Sequence, residues 1–435
     1  MRKFILGLTA AMLLVTACGS GDDDAATAVG EDDGGAESAF DSGTGGDLDE
    51  GTPGGPPMTS TTIPSPAAMS AESDAADRSG GDEAGSTAPP GEQVGLTAGS
   101  VDDNEAWEDY LRYREAFALL GIAFDDLPVD GRRILTVTDG DGIPVLDATV
   151  RITGGGAETM LRTGSDGRVV FLAPVGALDD QQSAPTYEAT VTHGEATTTA
   201  TIGTDPRQTI VLDDAVHDGA VRLDVLFLVD ATGSMGDEIE RLKANMVGVA
   251  EKIAESEADP DVRFALTSYR DTTDDYVART VDFTSDVDTF VESLRGLVAD
   301  GGGDTPEALN EAFAQAVAEP RWRTDDDVVR LIFLIADAPP HIGRGTSYVD
   351  TISAAAELGI RVFPIASSGT DDQAEYVLRQ IAQATLGRFV FLSYGADGAA
   401  LGGESNLDDE AYDVLALDEL VVRLVEEQLA PLTDR

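Results

Sequence analysis

The pattern of hydrophobic and polar residues divides this chain into two regions of different period. Between residues 133 and 212, short runs alternate apolar and polar side chains and are separated by turn signals such as Asp139-Gly140-Asp141-Gly142. Alternation with a period of two predicts a small β-sandwich at residues 130–215. From residue 221 onwards, continuous apolar runs take turns with stretches of helical period. This second pattern predicts an α/β domain at residues 220–432: a doubly wound, mostly parallel six-stranded sheet with helices on both faces.

Two of the apolar runs end directly on an acidic residue. Leu223 to Val229 runs into Asp230, and the run that begins at Val328 leads into Asp337. Unbroken apolar runs of this length are typical of parallel strands that are buried on both faces. Because ligands bind beyond the carboxyl ends of parallel strands, both carboxylates are predicted to face a binding site.

The first of these turns carries three oxygen-bearing side chains in the spacing D-x-T-x-S. They are Asp230, Thr232 and Ser234, and Gly233 and Gly236 allow the chain to turn tightly there. Hard oxygen donors without sulfur or imidazole suit Mg²⁺, Ca²⁺ or Mn²⁺. The sequence therefore offers a candidate cation site at the start of the α/β domain.

The amino terminus has the features of an export signal. Arg2 and Lys3 precede an apolar run, and Val-Thr-Ala-Cys at residues 15–18 resembles a bacterial lipobox. This resemblance implies that residues 1–18 form a lipoprotein signal peptide, that Cys18 is lipidated, and that the protein is anchored to a membrane. Since Cys18 is the only cysteine, no intrachain disulfide is possible.

The next segments are expected to connect the anchor to the folded domains. Residues 19–104 contain 19 Asp or Glu against one Arg and few large apolar side chains, so they are predicted to be a disordered acidic linker. Residues 105–127 are predicted to hold an amphipathic helix that packs on a downstream domain through an aromatic stripe. The stripe consists of Trp107, Tyr110, Leu111, Phe117 and Leu120.

Composition narrows the classes of partner. The formal net charge is −53, which repels nucleic acid and anionic lipid head groups, so neither is an expected partner. The phosphotransferases that also begin with a strand ending in Asp need D-x-D and a later Lys. Position 232 is Thr, and Lys243 and Lys252 lie on the first predicted helix. Neither a P-loop nor a G-x-G-x-x-G motif occurs, and no catalytic constellation is found, so we expect a binding protein and not an enzyme.

Three segments of the α/β domain resemble the loops of the metal-ion-dependent adhesion site in von Willebrand factor A domains. They are DATGS at 230–234, GGGDTPEAL at 301–309, and LIADAPPH around Asp337, and their order and spacing match that family over about residues 222–429. One departure is that Asp337 is followed by Ala-Pro-Pro-His and not by the more usual Gly. The sandwich, by its turn placement, resembles carboxypeptidase-regulatory-like and other bacterial Ig-like repeats.

The resemblance implies a single metal ion, Mg²⁺ or alternatively Mn²⁺ or Ca²⁺. Thr232, Ser234 and Thr305 would bind it directly, and Asp230 and Asp337 would act mostly through bound water. An Asp or Glu carboxylate of a protein ligand would complete the metal's coordination. Thr305 is also expected to cap a helix that begins at Pro306.

Together these features predict a lipid-anchored, extracytoplasmic protein of the bacterial cell envelope that binds a protein partner through a metal ion. Two alternatives remain open from the sequence. The same fold could serve as a structural or assembly subunit without metal, and binding that survives EDTA would indicate this. A metal-assisted phosphohydrolase is the second alternative, and turnover of phosphoesters that is lost in Asp230→Asn would indicate it.

Overall fold

The computed structural model describes residues 96–174, 186–217, 219, 221–254, 259–303, 305–324, 327–393 and 415–433. The predicted signal peptide, Cys18 included, and the predicted linker up to residue 95 lie outside these residues. Within the described residues, no helix combines the length and the apolar content needed to cross a membrane.

The carboxyl-terminal half of the chain is built on the six strands that the sequence predicts. Four neighbouring pairs of these strands are parallel, and one edge strand pairs antiparallel with its neighbour. In spatial order the six are β11 (Ala278–Thr284), β10 (Asp261–Tyr269), β9 (Arg222–Asp230), β12 (Val328–Ala336), β13 (Ile360–Ala366) and β14 (Phe389–Ser393). The doubly wound, mostly parallel α/β fold is therefore confirmed.

Helices cover both faces of this sheet, which explains the unbroken apolar runs. In β9, Val225 and Phe227 belong to one hydrophobic core, while Leu226 and Leu228 belong to the core on the opposite face. A strand that is buried on both sides favours apolar residues at nearly every position, and the exceptions Asp224 in β9 and Arg330 in β12 are ion-paired. The helices are α2 (Gly236–Ala254), α3 (Val287–Arg295), α4 (Leu309–Ala318), α5 (Tyr348–Leu358), α6 (Asp372–Ala384) and α7 (Leu417–Thr433).

Two further strands extend the sheet beyond β14. The strand β1 (Thr97–Val101) lies antiparallel to β14 and also pairs with β15 (Leu415–Ala416). The prediction of a linker up to residue 104 was therefore wrong for residues 96–104. Position 99 favours glycine because a Cβ there would lie 2.4 Å from the ring of Phe391 on β14.

The predicted amphipathic helix is α1 (Trp107–Ala118), and it packs on α6 of the α/β domain. The Phe117 ring stacks on Tyr376 with centroids 4.0 Å apart. Beside it, the Arg379 guanidinium donates to both Asp103 oxygens at 3.0 and 2.6 Å. Leu120 follows the helix and is exposed, so the aromatic stripe ends before it. The segment from β1 to α1 thus belongs to the α/β domain in space, although the sandwich separates the two in sequence.

The residues between α1 and β9 form two sheets around one apolar core. A three-stranded sheet has the order β5-β2-β8 and a four-stranded sheet the order β4-β3-β6-β7. The alternating pattern in the sequence does not indicate β4, because its residues AETMLR do not alternate between apolar and polar. The strands are β2 (Arg132–Thr138), β3 (Thr149–Gly154), β4 (Ala157–Arg162), β5 (Arg168–Leu172), β6 (Tyr187–His193), β7 (Ala196–Ile202) and β8 (Arg207–Val211).

The sandwich contacts the α/β domain where β12 and β13 begin. The buried Asp147 carboxylate accepts from Arg330 Nη1 and Nη2 at 2.6 and 3.1 Å and from the Val328 amide at 3.0 Å. A second ion pair joins Asp166 of the sandwich to Arg361 of β13. Because these contacts lie at the amino-terminal ends of the strands, the carboxyl-terminal ends of β9 and β12 remain open to a ligand.

We expect Gly99→Ala to destabilise the protein, although Gly-to-Ala changes in strands ordinarily do not. The new methyl group would overlap the Phe391 ring, and overpacking of this kind costs about 1–3 kcal/mol. The measurement is the free energy of unfolding in urea, with Ser100→Ala on the opposite side of the same strand as the matched control. Equal stability of the two variants would contradict the tight pairing of β1 with β14.

Candidate functional site

The loop after β9 brings three of the predicted site residues into one hydrogen-bonded chain. The Asp230 and Thr232 side chains are fully buried, and Asp230 Oδ1 accepts from the Thr232 amide at 2.9 Å and from the Thr232 hydroxyl at 2.7 Å. The Thr232 and Ser234 hydroxyl oxygens are 3.1 Å apart. Ser234 itself is exposed, so this row of oxygens leads from the sheet to solvent.

Asp337 joins this group because β12 is the neighbour of β9 in the sheet. Its carboxylate lies beside the Ser234 hydroxyl, which lowers the carboxylate's pKa, although burial acts first and raises that pKa overall. The unusual Pro-Pro sequence after Asp337 does not move the carboxylate away from the site. Four of the five predicted residues are therefore brought together.

A glycine loop, residues 301–303, forms the next wall of the site. The Gly233 amide donates to the Gly301 carbonyl at 3.1 Å, and the Gly302 amide donates to Asp274 Oδ2 at 2.8 Å. Gly302 has φ +69°, and a Cβ there would lie 2.8 Å from Glu307 Oε1 and 3.1 Å from the Thr232 Cβ. Glycine is required here because of this positive φ and because the Glu307 and Thr232 side chains occupy the space that a Cβ would need.

Thr305 was predicted both to bind the metal and to cap a helix, and the structure contradicts only the cap. Its side chain is exposed, and among the described residues it makes no hydrogen bond to the other four. It is not a helix cap, because α4 begins at Leu309 and is preceded by Ala308, which makes no side-chain cap. The prediction of a helix cap failed because Glu307 forms a parallel bridge with Pro340 and donates its amide to the Pro339 carbonyl at 3.0 Å. Those backbone contacts replace the first turn of the expected helix.

Sequence reasoning missed Glu307. Its side chain is only 3% exposed, and its Oε2 has no hydrogen-bond partner among the described residues. Burial, followed by repulsion from Asp230, Asp271, Asp337 and Asp274, raises the pKa of Glu307 to about 8. The only signal in the sequence was its position in GGGDTPEAL, where the expected helix would have assigned it to a first turn.

The charged form of Asp230 is disfavoured in the same way as that of Glu307. Burial and then the nearby Asp337 raise its pKa to about 7, even though Thr232 and the Tyr269 hydroxyl lower it. Its Oδ2 atom and Asp337 Oδ1 are buried without a hydrogen-bond partner in the described part of the chain. Burial thus raises the pKa of Asp230, Asp337 and Glu307 alike, and the charges of Asp230 and Asp337 add to the effect on Glu307.

No basic side chain among the described residues forms an ion pair with Asp230, Asp337 or Glu307. Buried carboxylates elsewhere are matched by arginines. Asp224 accepts from Arg263 and from Arg323, for example, and Asp147 accepts from Arg330. An unpaired buried charge is costly, so the site requires either protons or a cation from solution.

The arrangement can hold a hard divalent ion through a mixture of hydroxyl groups and outer carboxylates. The described residues contain no group of three or more His, Cys, Asp or Glu side chains that could hold a metal ion by themselves. His341 is near this edge, but its Nε2 is engaged with Asp271 Oδ1 at 2.8 Å. That bond lowers the pKa of Asp271 even though burial acts against it.

Comparison with known proteins identifies the domain. A family model described as von Willebrand factor type A domain matches residues 224–397. Human von Willebrand factor A domain-containing protein 7 is 30% identical over 193 residues, which are 44% of this chain and 20% of that protein. Alpha-protein kinase vwkA of Dictyostelium discoideum is 33% identical over 130 residues, or 29% of this chain and 19% of the kinase. The putative ariadne-like RING finger protein R811 of Acanthamoeba polyphaga mimivirus is 32% identical over 127 residues, and this chain spans 12% of its length.

Solved structures give more distant likenesses. BatB of Bacteroides thetaiotaomicron matches 48% of this chain and 99% of its own, with 18% identity and a TM-score of 0.34. Proximal thread matrix protein 1 of the mussel byssus, with a zinc-occupied adhesion motif, matches 50% of this chain and 47% of its own, with 16% identity and a TM-score of 0.36. The family match falls within the α/β domain, so residues 224–397 are similar to a von Willebrand factor type A domain.

Proposed function

We propose that this protein binds a protein partner through a divalent cation held at the carboxyl-terminal edge of the α/β sheet. The observation that carries the proposal is the group of buried carboxylates, Asp230, Asp337 and Glu307, for which the described part of the chain provides no arginine, lysine or histidine ion pair. A cation is the missing counter-charge, and Mg²⁺ suits the oxygen ligands best, with Mn²⁺ or Ca²⁺ as alternatives. The proposed role is binding and not catalysis.

In this proposal, some residues of the site would contact the cation and others would orient those ligands. The hydroxyls of Thr232 and Ser234 reach toward solvent and would contact the cation, while Asp230 orients Thr232 through two hydrogen bonds. Asp337 would orient Ser234 in the same way. Neutral direct ligands leave the cation electrophilic, so that an Asp or Glu carboxylate of a partner can complete its coordination.

We further propose that Cys18 carries a lipid and anchors the chain on the outer side of a bacterial membrane. Support comes from the lipobox-like Val-Thr-Ala-Cys and from the acidic residues 19–95, whose like charges favour an extended tether. The open edge of the sheet would then be presented to partners in the envelope or outside the cell.

Calorimetric titration of the metal-free protein with Mg²⁺ tests the cation site. We expect one binding event, and we expect Ser234→Ala to weaken it by about 10-fold or more because a hydroxyl ligand is lost. Ser293→Ala removes a hydroxyl that bonds only its own helix and serves as the control. Equal Mg²⁺ affinity in the wild type and Ser234→Ala would contradict the site.

The raised pKa values predict how metal-free stability depends on pH. Asp230 and Glu307 have folded pKa values of about 7 and 8, against ordinary values of 3.8 and 4.5, so the folded state holds their protons more strongly than the unfolded state. The resulting stability is complete below pH 4 and is lost as the pH rises through 7 and 8.

In EDTA, the free energy of unfolding should therefore fall between pH 6 and pH 9, by up to about 1.4 kcal/mol per pH unit for each group that loses its proton, and the thermal midpoint should fall with it. Asp230→Asn should flatten this dependence, exposed Asp288→Asn should not, and saturating Mg²⁺ should raise the midpoint most at high pH. A midpoint that rises toward pH 9 in the metal-free wild type would contradict the assignment.

Radiolabelled fatty acid, supplied to a bacterial host that expresses the chain, tests the anchor. We expect the wild type to incorporate label and to sediment with membranes, because Cys18 would be acylated. Cys18→Ser should incorporate none. An unlabelled wild-type protein would show that the apolar amino terminus is a plain export signal.

A further inference from the structure

We propose that β7, an edge strand of the sandwich, is a self-association site at which two copies of this chain pair their β7 strands antiparallel. The strand covers Ala196–Ile202 and is the last strand of the four-stranded sheet. Among the described residues, one of its two sides therefore has no neighbouring strand. The inference concerns a surface of the sandwich and does not depend on the proposed cation site.

The backbone of β7 offers hydrogen-bonding groups along this open side. A two-residue turn joins β6 to β7, and the residues that flank it, His193 and Ala196, are paired. In a hairpin of this kind the flanking residues exchange hydrogen bonds, and the direction of the backbone groups alternates along each strand from there. Counting from Ala196, Thr197 and Thr199 therefore direct their N–H and C=O groups away from β6.

The Gln208 side chain agrees with this direction at the end of the strand. Its Nε2 donates to the Thr201 carbonyl at 2.9 Å, and its Oε1 accepts from the Gly203 amide at 3.1 Å. Thr201 follows Thr199 by two positions, so its carbonyl also lies on the open side and is already bonded. The backbone groups of Thr197 and Thr199 are the ones that remain available to a further strand.

The strand β7 lacks the features that usually protect an edge strand, which are charged residues, Pro, bulges and covering elements. Its residues ATTTATI contain neither a charge nor Pro, and its pairing with β6 runs through the whole strand without a break. The opposite edge of the same sheet, β4, packs against α5 of the α/β domain. Every other edge strand longer than two residues in the described chain carries a charged residue.

Charge favours a second copy of this chain as the occupant. With a net charge of −53, two copies repel each other over most of their surfaces, and a neutral strand is where they can approach at the least cost. The chain's own acidic residues 19–95 are a poorer occupant, because Glu195 precedes β7 and Glu188 lies opposite its end, and both would repel them.

Two-fold antiparallel pairing places Thr199 of one copy opposite Thr197 of the other. Each copy then donates the amides of both residues and accepts at their carbonyls, and Gln208 keeps its bond to Thr201. The Thr197 and Thr199 side chains are exposed on the solvent face, where their hydroxyls can bond across the new strand pair. Because the contact is a single strand pair, we expect a weak dimer that forms at high local concentration.

Sedimentation velocity of the full chain over a range of concentrations tests this inference. All samples carry Cys18→Ser, so that neither a lipid nor a disulfide joins two copies. Thr199→Pro removes the outward N–H, which an edge strand tolerates, and Thr199→Ala removes the same side chain but keeps the N–H as the matched control. We expect Thr199→Ala to dimerise nearly as the wild type does and Thr199→Pro to associate about 10-fold more weakly or less, because each copy loses a hydrogen bond.

Hydrogen exchange provides a second measurement that needs no proline variant. In the wild type, exchange of the Thr197 and Thr199 amides should slow as the protein concentration rises. Exchange at the other edge strand, β11 (Ala278–Thr284), should not change with concentration. EDTA should alter neither the association nor the exchange, because no cation takes part in the contact.

Four results would overturn the inference. They are a wild type that stays monomeric at every concentration, Thr199 and Thr197 amides whose exchange is independent of concentration, equal association of Thr199→Pro and Thr199→Ala, and a dimer that EDTA dissociates. Protection of β7 that requires another protein would also overturn it, because the edge would then belong to a different strand. Mg²⁺ binding by the wild type is measured separately, so failure of this inference leaves the proposed function intact.

Discussion

The need to neutralise buried carboxylates governs how this molecule is held together. The described chain solves it with arginines at Asp224 inside the sheet, at Asp147 where the sandwich meets the sheet, and at Asp103 beside α6. At the carboxyl-terminal edge of the sheet, the charge of Asp230 raises the pKa of Glu307, and no basic side chain among the described residues forms an ion pair with either carboxyl group. A cost that is left uncompensated in a fold is a sign that a ligand compensates it.

The two ends of the sheet consequently have different roles. The amino-terminal ends of β12 and β13 receive the sandwich through the ion pairs Asp147–Arg330 and Asp166–Arg361, which make that contact specific in charge and direction. The carboxyl-terminal ends are left for the exposed Ser234 and the glycine loop. The aromatic packing of α1 on α6 adds a second brace that leaves this edge open.

The sequence predicted β9 and β12 because their nearly continuous apolar runs are typical of burial on both faces. It predicted Asp230 and Asp337 because each directly ends such a run. It could not predict β1, since TAGSV has the small residues of a linker and fits only because the Phe391 ring fills the space above Gly99. Glu307 was hidden for a related reason: its burial depends on a backbone bridge to Pro340, a contact that no local pattern encodes.

The insertion of β1 between β14 and β15 affects the order in which this chain can fold. Thr97 pairs with Ser393 and with Ala416, residues that are synthesised much later than Thr97. The sandwich contains all its own strands and can fold as soon as it emerges, as amino-terminal domains generally do. The strand β1, which is synthesised earlier, therefore remains unpaired until β14 and β15 have been synthesised. Its small side chains and neighbouring acidic residues then have a further benefit, because they make the waiting strand a poor template for aggregation.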